Sequence, residues 1–355
     1  MPVDWNSVDR ILVVRLRSIG DTVLCTPSLT ALRSFLPKTQ IDILLEDWVA
    51  PLLEGFEDVD NVLTVGKSGK ERVLTAREIR RRKYNVVINL HGGTTGTFFS
   101  ASSGAKHKIG FSYYQYRFLY TDHFPSGETF WDSPRIHSVE QQLALLGSTG
   151  VPVEPKPPTR LAVVDKHLRS VTERLEQRGI RSDPFVLLHP AAALATKQWP
   201  TENFAQVAEY LSTIGLATVA VAAGNEREVL EELSAVSSIP VASFDDLQLP
   251  EITALASMAR LFVGNDSGIA HIAAAVETPP VVIFGSSNRD NWRPWTAGAY
   301  EMVFTEYHCQ PCAGYQCEEF GEPRCIQSVM VESVTAAIDR LLLTTEKRRT
   351  QAPAV

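Results

Sequence analysis

The stretch "VVRLRSIGDTVLCTPSLTALRSF", Val13 to Phe35, places a buried strand, a tight turn and an amphipathic helix in succession. Its strand is "ILVVRL", Ile11–Leu16, and Val23, Leu24, Leu29, Leu32 and Phe35 mark the apolar side of the helix. The turn between them gathers Arg15, Arg17, Ser18, Gly20 and Asp21. Gly20 can supply a tight turn, and the helix start presents unpaired backbone N–H groups. Asp21 then has two readings. It can cap the helix, an interaction worth about 1 kcal/mol. Alternatively it faces a cleft as the general base for a hydroxyl nucleophile, with Arg15 and Arg17 holding an anion beside it.

Outward from this stretch the same rhythm repeats. "QIDILLE" (Gln40–Glu46), "VDNVLTV" (Val59–Val65) and "NVVINL" (Asn85–Leu90) read as further strands, with the basic helix "TAREIRRRK" before the last. Residues Val151 to Thr159, "VPVEPKPPT", carry four prolines and read as a linker. Beyond them come strands at Phe185–Pro190, Ala217–Gly224, Leu261–Asp266 and Pro280–Gly285, with helices at Phe204–Ile214, Glu226–Val236 and "SGIAHIAAAV". Apolar strands alternating with helices predict parallel sheets covered on both faces. The expected architecture is α/β, with two Rossmann-like doubly wound domains facing a cleft. Residues 1–155 form the first domain, 160–345 the second, and 346–355 a disordered tail. Ligands of such sheets bind beyond the carboxyl ends of the strands.

The chain has 355 residues, more than one average core holds, and a formal charge of -7. That charge disfavours a broad nucleic-acid-binding surface and leaves room for a local anion pocket. No apolar run is long enough to span a bilayer, and the N-terminus lacks a secretory pattern.

Three other junctions carry candidate chemistry. "GNDSGIAH", Gly264–His271, brings Asn265, Asp266, Ser267 and Gly268 to a helix start, where N–H groups and the Ser267 hydroxyl can receive phosphate oxygens. Asp266 would repel a phosphate, so it accepts sugar hydroxyls or caps the helix. His271 stands four residues beyond Ser267, on the same helix face. In "HPAAALATKQWP", His189–Pro200, a compact loop leads to Lys197, which can neutralise a diphosphate or merely solubilise the surface. In "AAGNEREV", Glu226 either caps a helix or accepts a nucleoside hydroxyl.

Taken together and in this order, "ILVVRLRSIGDTVLCTPSLTALR", "HPAAALATKQWP" and "FVGNDSGIAHIAAAVETPPVVIFG" resemble the ADP-heptose:lipopolysaccharide heptosyltransferase family, glycosyltransferase family 9. The resemblance covers nearly the whole chain. It implies an inverting glycosyltransferase of GT-B architecture, with an N-terminal acceptor domain and a C-terminal nucleotide-sugar domain. The implied reaction moves a heptose from ADP-heptose to a hydroxyl of a lipopolysaccharide-core or related envelope glycan, on a lipid-linked or polysaccharide acceptor. By the same resemblance Asp21 is the base and Lys197 the phosphate-contacting lysine. Asp266 contacts the transferred sugar, Ser267 and Gly268 the diphosphate, Asn265 and His271 belong to the donor turn, and Glu226 lies near the nucleoside. Arg15, Arg17, Ser18 and Gly20 fall on the acceptor or anion side. No cofactor is required, and the implied location is cytoplasmic, peripheral at the inner face of the inner membrane. The same fold using another nucleotide sugar, and a non-catalytic nucleotide-sugar binding protein, are the rival readings. A dehydrogenase is disfavoured because no G-x-G-x-x-G follows either domain's first strand.

Two segments stand apart. "NLHGGTTGTFFS" (Asn89–Ser100) departs from the polar segment expected of lipopolysaccharide-core enzymes, and "KHKIGFSYYQYRFLY" (Lys106–Tyr120) is basic and aromatic. The latter can touch a sugar phosphate or a bilayer, or pack its tyrosines under a loop. Cys309, Cys312, Cys317 and Cys325 form C-x2-C-x4-C-x7-C. Four thiolates at this spacing can hold a structural zinc or an iron–sulfur centre; free thiols or opportunistic disulfides are the alternative.

Overall fold

The computed structural model describes residues 2–180, 184–312 and 314–351. The chain divides into two compact units, Met1–Ala162 and Val163–Val355. In the first, strands β1 (Arg10–Leu16), β2 (Gln40–Glu46), β3 (Asn61–Val65), β4 (Val86–Asn89), β5 (His107–Phe111) and β6 (Asp122–Phe124) lie in the order β3-β2-β1-β4-β5-β6. Every pairing is parallel. Helices α1 (Ile19–Phe35), α2 (Gly69–Arg82), α3 (Gly93–Ser102), α4 (Gly127–Trp131) and α5 (Ser138–Gly147) complete this unit. Ile11 through Val14 are wholly buried, as expected of a central strand covered on both faces. The strand order reverses beside β1, so the ends of β1, β2 and β4 are neighbours at the switch point where doubly wound sheets bind ligands.

Helix α1 tolerates Pro27 in its interior. The proline ring offers no N–H, and the Val23 carbonyl instead accepts a hydrogen bond from the Thr26 hydroxyl at 2.8 Å. The basic helix expected around Thr75 begins earlier, at Gly69. Ser68 and Glu71 cap it reciprocally, with the Glu71 N–H donating to Ser68 Oγ at 3.2 Å.

The second unit repeats the plan. Its strands β7 (Phe185–His189), β8 (Ala217–Val221), β9 (Ala242–Phe244), β10 (Leu261–Asn265), β11 (Pro280–Phe284) and β12 (Glu301–Phe304) run in the order β12-β11-β10-β7-β8-β9. These pairings too are all parallel. The helices are α6 (Asp165–Gln177), α7 (Thr201–Thr213), α8 (Arg227–Val236), α9 (Leu249–Met258), α10 (Gly268–Ala275), α11 (Arg289–Trp292), α12 (Arg324–Gln327) and α13 (Val331–Gln351). Trp199 is fully buried in this core and its indole N–H donates to the Val329 carbonyl at 2.9 Å. Each unit is a Rossmann-like doubly wound domain.

The proline-rich segment has no regular secondary structure, yet it is not loose. Val151 and Val153 are buried, and Lys156 pairs with Glu140 at 2.7 Å while lying 4.1 Å from the centre of the Trp131 ring. The expected tail begins at residue 346, inside the last helix. Helix α13 continues to Gln351, because Glu, Lys, Arg and Gln are good helix formers, and residues 352–355 lie outside the described residues.

Candidate active site

The decisive turn in the first unit is built by an irregularity in β1. Val14 pairs with Leu44 and Leu16 with Leu45, so Arg15 is an extra residue, a bulge that re-aims its side chain. Leu16 then takes a left-handed backbone, φ +64°, and the Arg17 N–H returns to the Arg15 carbonyl at 3.0 Å. The turn is therefore made at buried Leu16. Gly20, expected to supply it, lies within the first turn of α1.

Arg15 now points across the sheet end. Its Nη1 donates to the Leu90 carbonyl beyond β4, and its Nη2 pairs with Asp21 Oδ1. Ser18, at the N-cap of α1, approaches Asp21 Oδ2 through its hydroxyl at 3.2 Å and its N–H at 3.4 Å. Asp21 is thus the third helical residue reaching back to the cap, not the cap itself. The Arg15 side chain is 9% exposed and that of Asp21 25%. The cation is behind and the carboxylate in front.

At the second site β10 delivers Asn265 and Asp266 to the start of α10. Gly264 allows the approach of β7: a Cβ there would lie 2.9 Å from the His189 backbone oxygen. Asn265 is fully buried and its amide ties the two ends of the loop between β7 and α7. Its Oδ1 accepts the Trp199 N–H at 3.0 Å, and its Nδ2 donates to the Pro190 carbonyl at 2.8 Å. This amide holds the Lys197 loop against β10. Lys197 Nζ meets Asp266 Oδ2 at 2.9 Å, and the Ser287 hydroxyl donates to the same oxygen. Here the acid is behind, 6% exposed, and the lysine is in front at 26%.

Ser267, not Asp266, occupies the N-cap of α10, and its hydroxyl lies 3.2 Å from His189 Nδ1. Burial pushes the His189 imidazole down to about 4, so the ring is neutral at physiological pH. His271 is buried on α10. Glu226 ends a short 3-10 turn before α8, where its Oε2 accepts the Ala223 N–H at 3.1 Å.

The four clustered cysteines line one small hollow with Thr196, Ser286 and Phe320. All four are free thiols, Cys325 buried and Cys312 exposed. Among the described residues no three His, Cys, Asp or Glu side chains are grouped to hold a metal ion.

A model of glycosyltransferase family 9 (heptosyltransferase) matches residues 72–321. The chain belongs to that family. This glycosyltransferase is 25% identical over 341 residues to lipopolysaccharide heptosyltransferase 3 of Escherichia coli K12, covering 92% of this chain and 96% of that one. Its fold is similar to a family 9 glycosyltransferase from Veillonella parvula, with a TM-score of 0.84 and 22% identity over 97% of this chain and 99% of the other. It is also similar to E. coli ADP-heptose lps heptosyltransferase II, with a TM-score of 0.79 and 20% identity over 95% and 99%. These likenesses place the two doubly wound domains in the GT-B architecture.

Several neighbours of the glycosyltransferase's two sites were not singled out from the sequence. Ser287 reaches Asp266 because β11 lies beside β10, a pairing no local pattern announces. His91 follows Leu90, and its N–H donates to the Val14 carbonyl at 3.1 Å. Burial, then the nearby Arg15, lowers its pKa below the usual histidine value. Glu46, the last residue of β2, lies 3.9 Å from Arg17, and Trp48 follows two residues later; a strand ending in an acid with an aromatic just beyond was the available signal. In the basic aromatic segment, Tyr120 is tied down by Asn89 Nδ2 at 2.6 Å and Tyr114 donates to the Asn89 carbonyl at 3.2 Å. Tyr116, Phe118 and Leu119 stand exposed beside Arg117.

Proposed function

We propose that this glycosyltransferase transfers a heptose from ADP-heptose to a hydroxyl of a lipopolysaccharide-core or related envelope glycan, with inversion at the anomeric carbon. The observation that carries this reading is the opposite exposure of the two acid–cation pairs. The first unit presents a carboxylate and the second an ammonium group. Asp21 takes the proton from the acceptor hydroxyl as its oxygen bonds to the anomeric carbon. The bond from that carbon to the diphosphate oxygen breaks, and ADP leaves with the electron pair. Lys197, the Ser267 hydroxyl and the N–H groups opening α10 hold the charge that develops. Asp266 orients the lysine and accepts a hydroxyl of the transferred sugar, while Glu226 serves the nucleoside. Arg15 is a positioning residue that fixes the Asp21 carboxylate.

The relatives named above, lipopolysaccharide and ADP-heptose heptosyltransferases, support the donor and acceptor classes. Contact with a membrane surface is supported by Phe118, 78% exposed, beside Tyr116, Leu119 and Arg117 in the loop after β5. Among the described residues no helix is long and apolar enough to cross a membrane.

Calorimetric titration with ADP-heptose, ADP-glucose, GDP-mannose and UDP-glucose, on the native chain and K197A, tests the donor. Selective binding of ADP-heptose that weakens in K197A is the expected result. Preference for another nucleotide sugar retains the transferase class and removes heptose.

A further inference from the structure

Trp48 lies two residues beyond β2 and is 43% exposed. Its indole N–H donates to Glu46 Oε2 at 2.8 Å, and its backbone N–H to Asp47 Oδ1 at 2.8 Å. The ring is therefore held by its N–H while much of the residue stays open to solvent. Glu46 is mostly covered, and its other oxygen lies 3.9 Å from Arg17 Nε. Arg17 in turn precedes Ser18, whose hydroxyl contacts Asp21. A run of neighbouring groups thus leads from an open indole to the presented carboxylate. His91 stands on the β4 side, next to the carbonyl that holds Arg15. Scattered exposed apolar side chains are ordinary on protein surfaces. An indole pinned by a carboxylate at the mouth of a reaction site is a different object.

We propose that Trp48, with Glu46 and Arg17, is the platform on which the acceptor sugar sits. The less polar face of a pyranose ring lies on the indole, its hydroxyls bond Glu46 and Arg17, and one hydroxyl is delivered to Asp21. Glu46 has the capacity for this, because an ionised carboxylate accepts at about four positions and the indole N–H takes one. The platform rests on the reading of Asp21 as the base, and it assigns acceptor binding to side chains that take no part in holding the donor.

The test uses the full chain with ADP-heptose and core oligosaccharide released from lipopolysaccharide by deacylation. W48A is expected to raise the oligosaccharide KM about tenfold, with the donor KM unchanged, since aromatic contacts of this kind contribute about one such factor. W48F, which keeps a flat ring, should stay within about threefold of the native chain, and E46Q should fall between the two. An unchanged oligosaccharide KM in W48A, or an equal loss in W48F, overturns the platform. If the native chain neither binds nor turns over ADP-heptose, the donor reading fails instead. Calorimetry with the oligosaccharide alone then decides the platform: about tenfold weaker binding to W48A supports it. Equal affinity, or no binding by the native chain, overturns it.

Discussion

The turn after β1 and the turn after β10 use the same parts in opposite order. Both set an aspartate at the start of a helix against a cation from the same unit. In the first, buried Arg15 backs a partly exposed Asp21; in the second, buried Asp266 backs a partly exposed Lys197. A guanidinium can be buried because its planar fork is satisfied by several acceptors, here the Leu90 carbonyl and the carboxylate. A buried carboxylate can be satisfied by an ammonium and a hydroxyl, as Lys197 and Ser287 do for Asp266. Whichever partner is enclosed fixes the other, and the other is what a substrate meets.

The comparison breaks most sharply at Asp21. D21N should lose about 10²–10⁴-fold in kcat, the usual scale of a general base, as measured by ADP release, and destabilise the chain by about 2–3 kcal/mol because it leaves the buried Arg15 charge without its carboxylate. If D21N keeps most of its activity, the first unit presents no base. Next comes Lys197. K197A should lose about 10²–10³-fold in kcat and also destabilise the chain by about 2–3 kcal/mol, because it strands the buried Asp266 charge. Denaturant melts of K197A with D266N added should recover that stability, while donor affinity stays low. Recovery of both would mean that the lysine serves Asp266 alone.

A third effect is pH-dependent and sharpens the second site. The unfolded chain protonates His189 near pH 6.5, whereas the folded chain resists until about 4. The unfolded state therefore binds more protons in that window, and stability falls as pH drops through it, by on the order of 3 kcal/mol at most. H189N should flatten this slope in denaturant melts at stepped pH; an unaltered slope would place the acid sensitivity elsewhere. The smallest effect is chemical. Burial pushes the Cys25 thiol up to about 12, so it should react with a thiol reagent only after unfolding, whereas exposed Cys312 reacts in the native protein.

Much of this arrangement could be read from residues in order. The strand bounds Gln40–Glu46 agree in sequence and structure, and Asp21, Lys197 and Asp266 all fall where a strand hands over to a helix. The roles of their neighbours were less legible. Asn265 reads as a donor ligand, yet its amide is engaged with the Pro190 carbonyl and the Trp199 N–H. Gly20 reads as the turn, yet the left-handed residue is Leu16, a conformation imposed by the bulge rather than by local preference. The cysteine spacing leaves metal and free thiols open; what the fold adds is that all four side chains line one hollow.

By itself the sequence determined two doubly wound units and the places where strands hand over to helices. Continuous apolar runs of strand length, separated by helices, can bury both faces only in covered parallel sheets. The tertiary structure alone decided which charge of each pair faces outward. That depends on an extra residue in β1 and on which strands lie side by side. The β1–β4 pairing brings Leu90 to Arg15, and the β10–β11 pairing brings Ser287 to Asp266. Such contacts join residues far apart in the chain, and a local pattern carries no information about them.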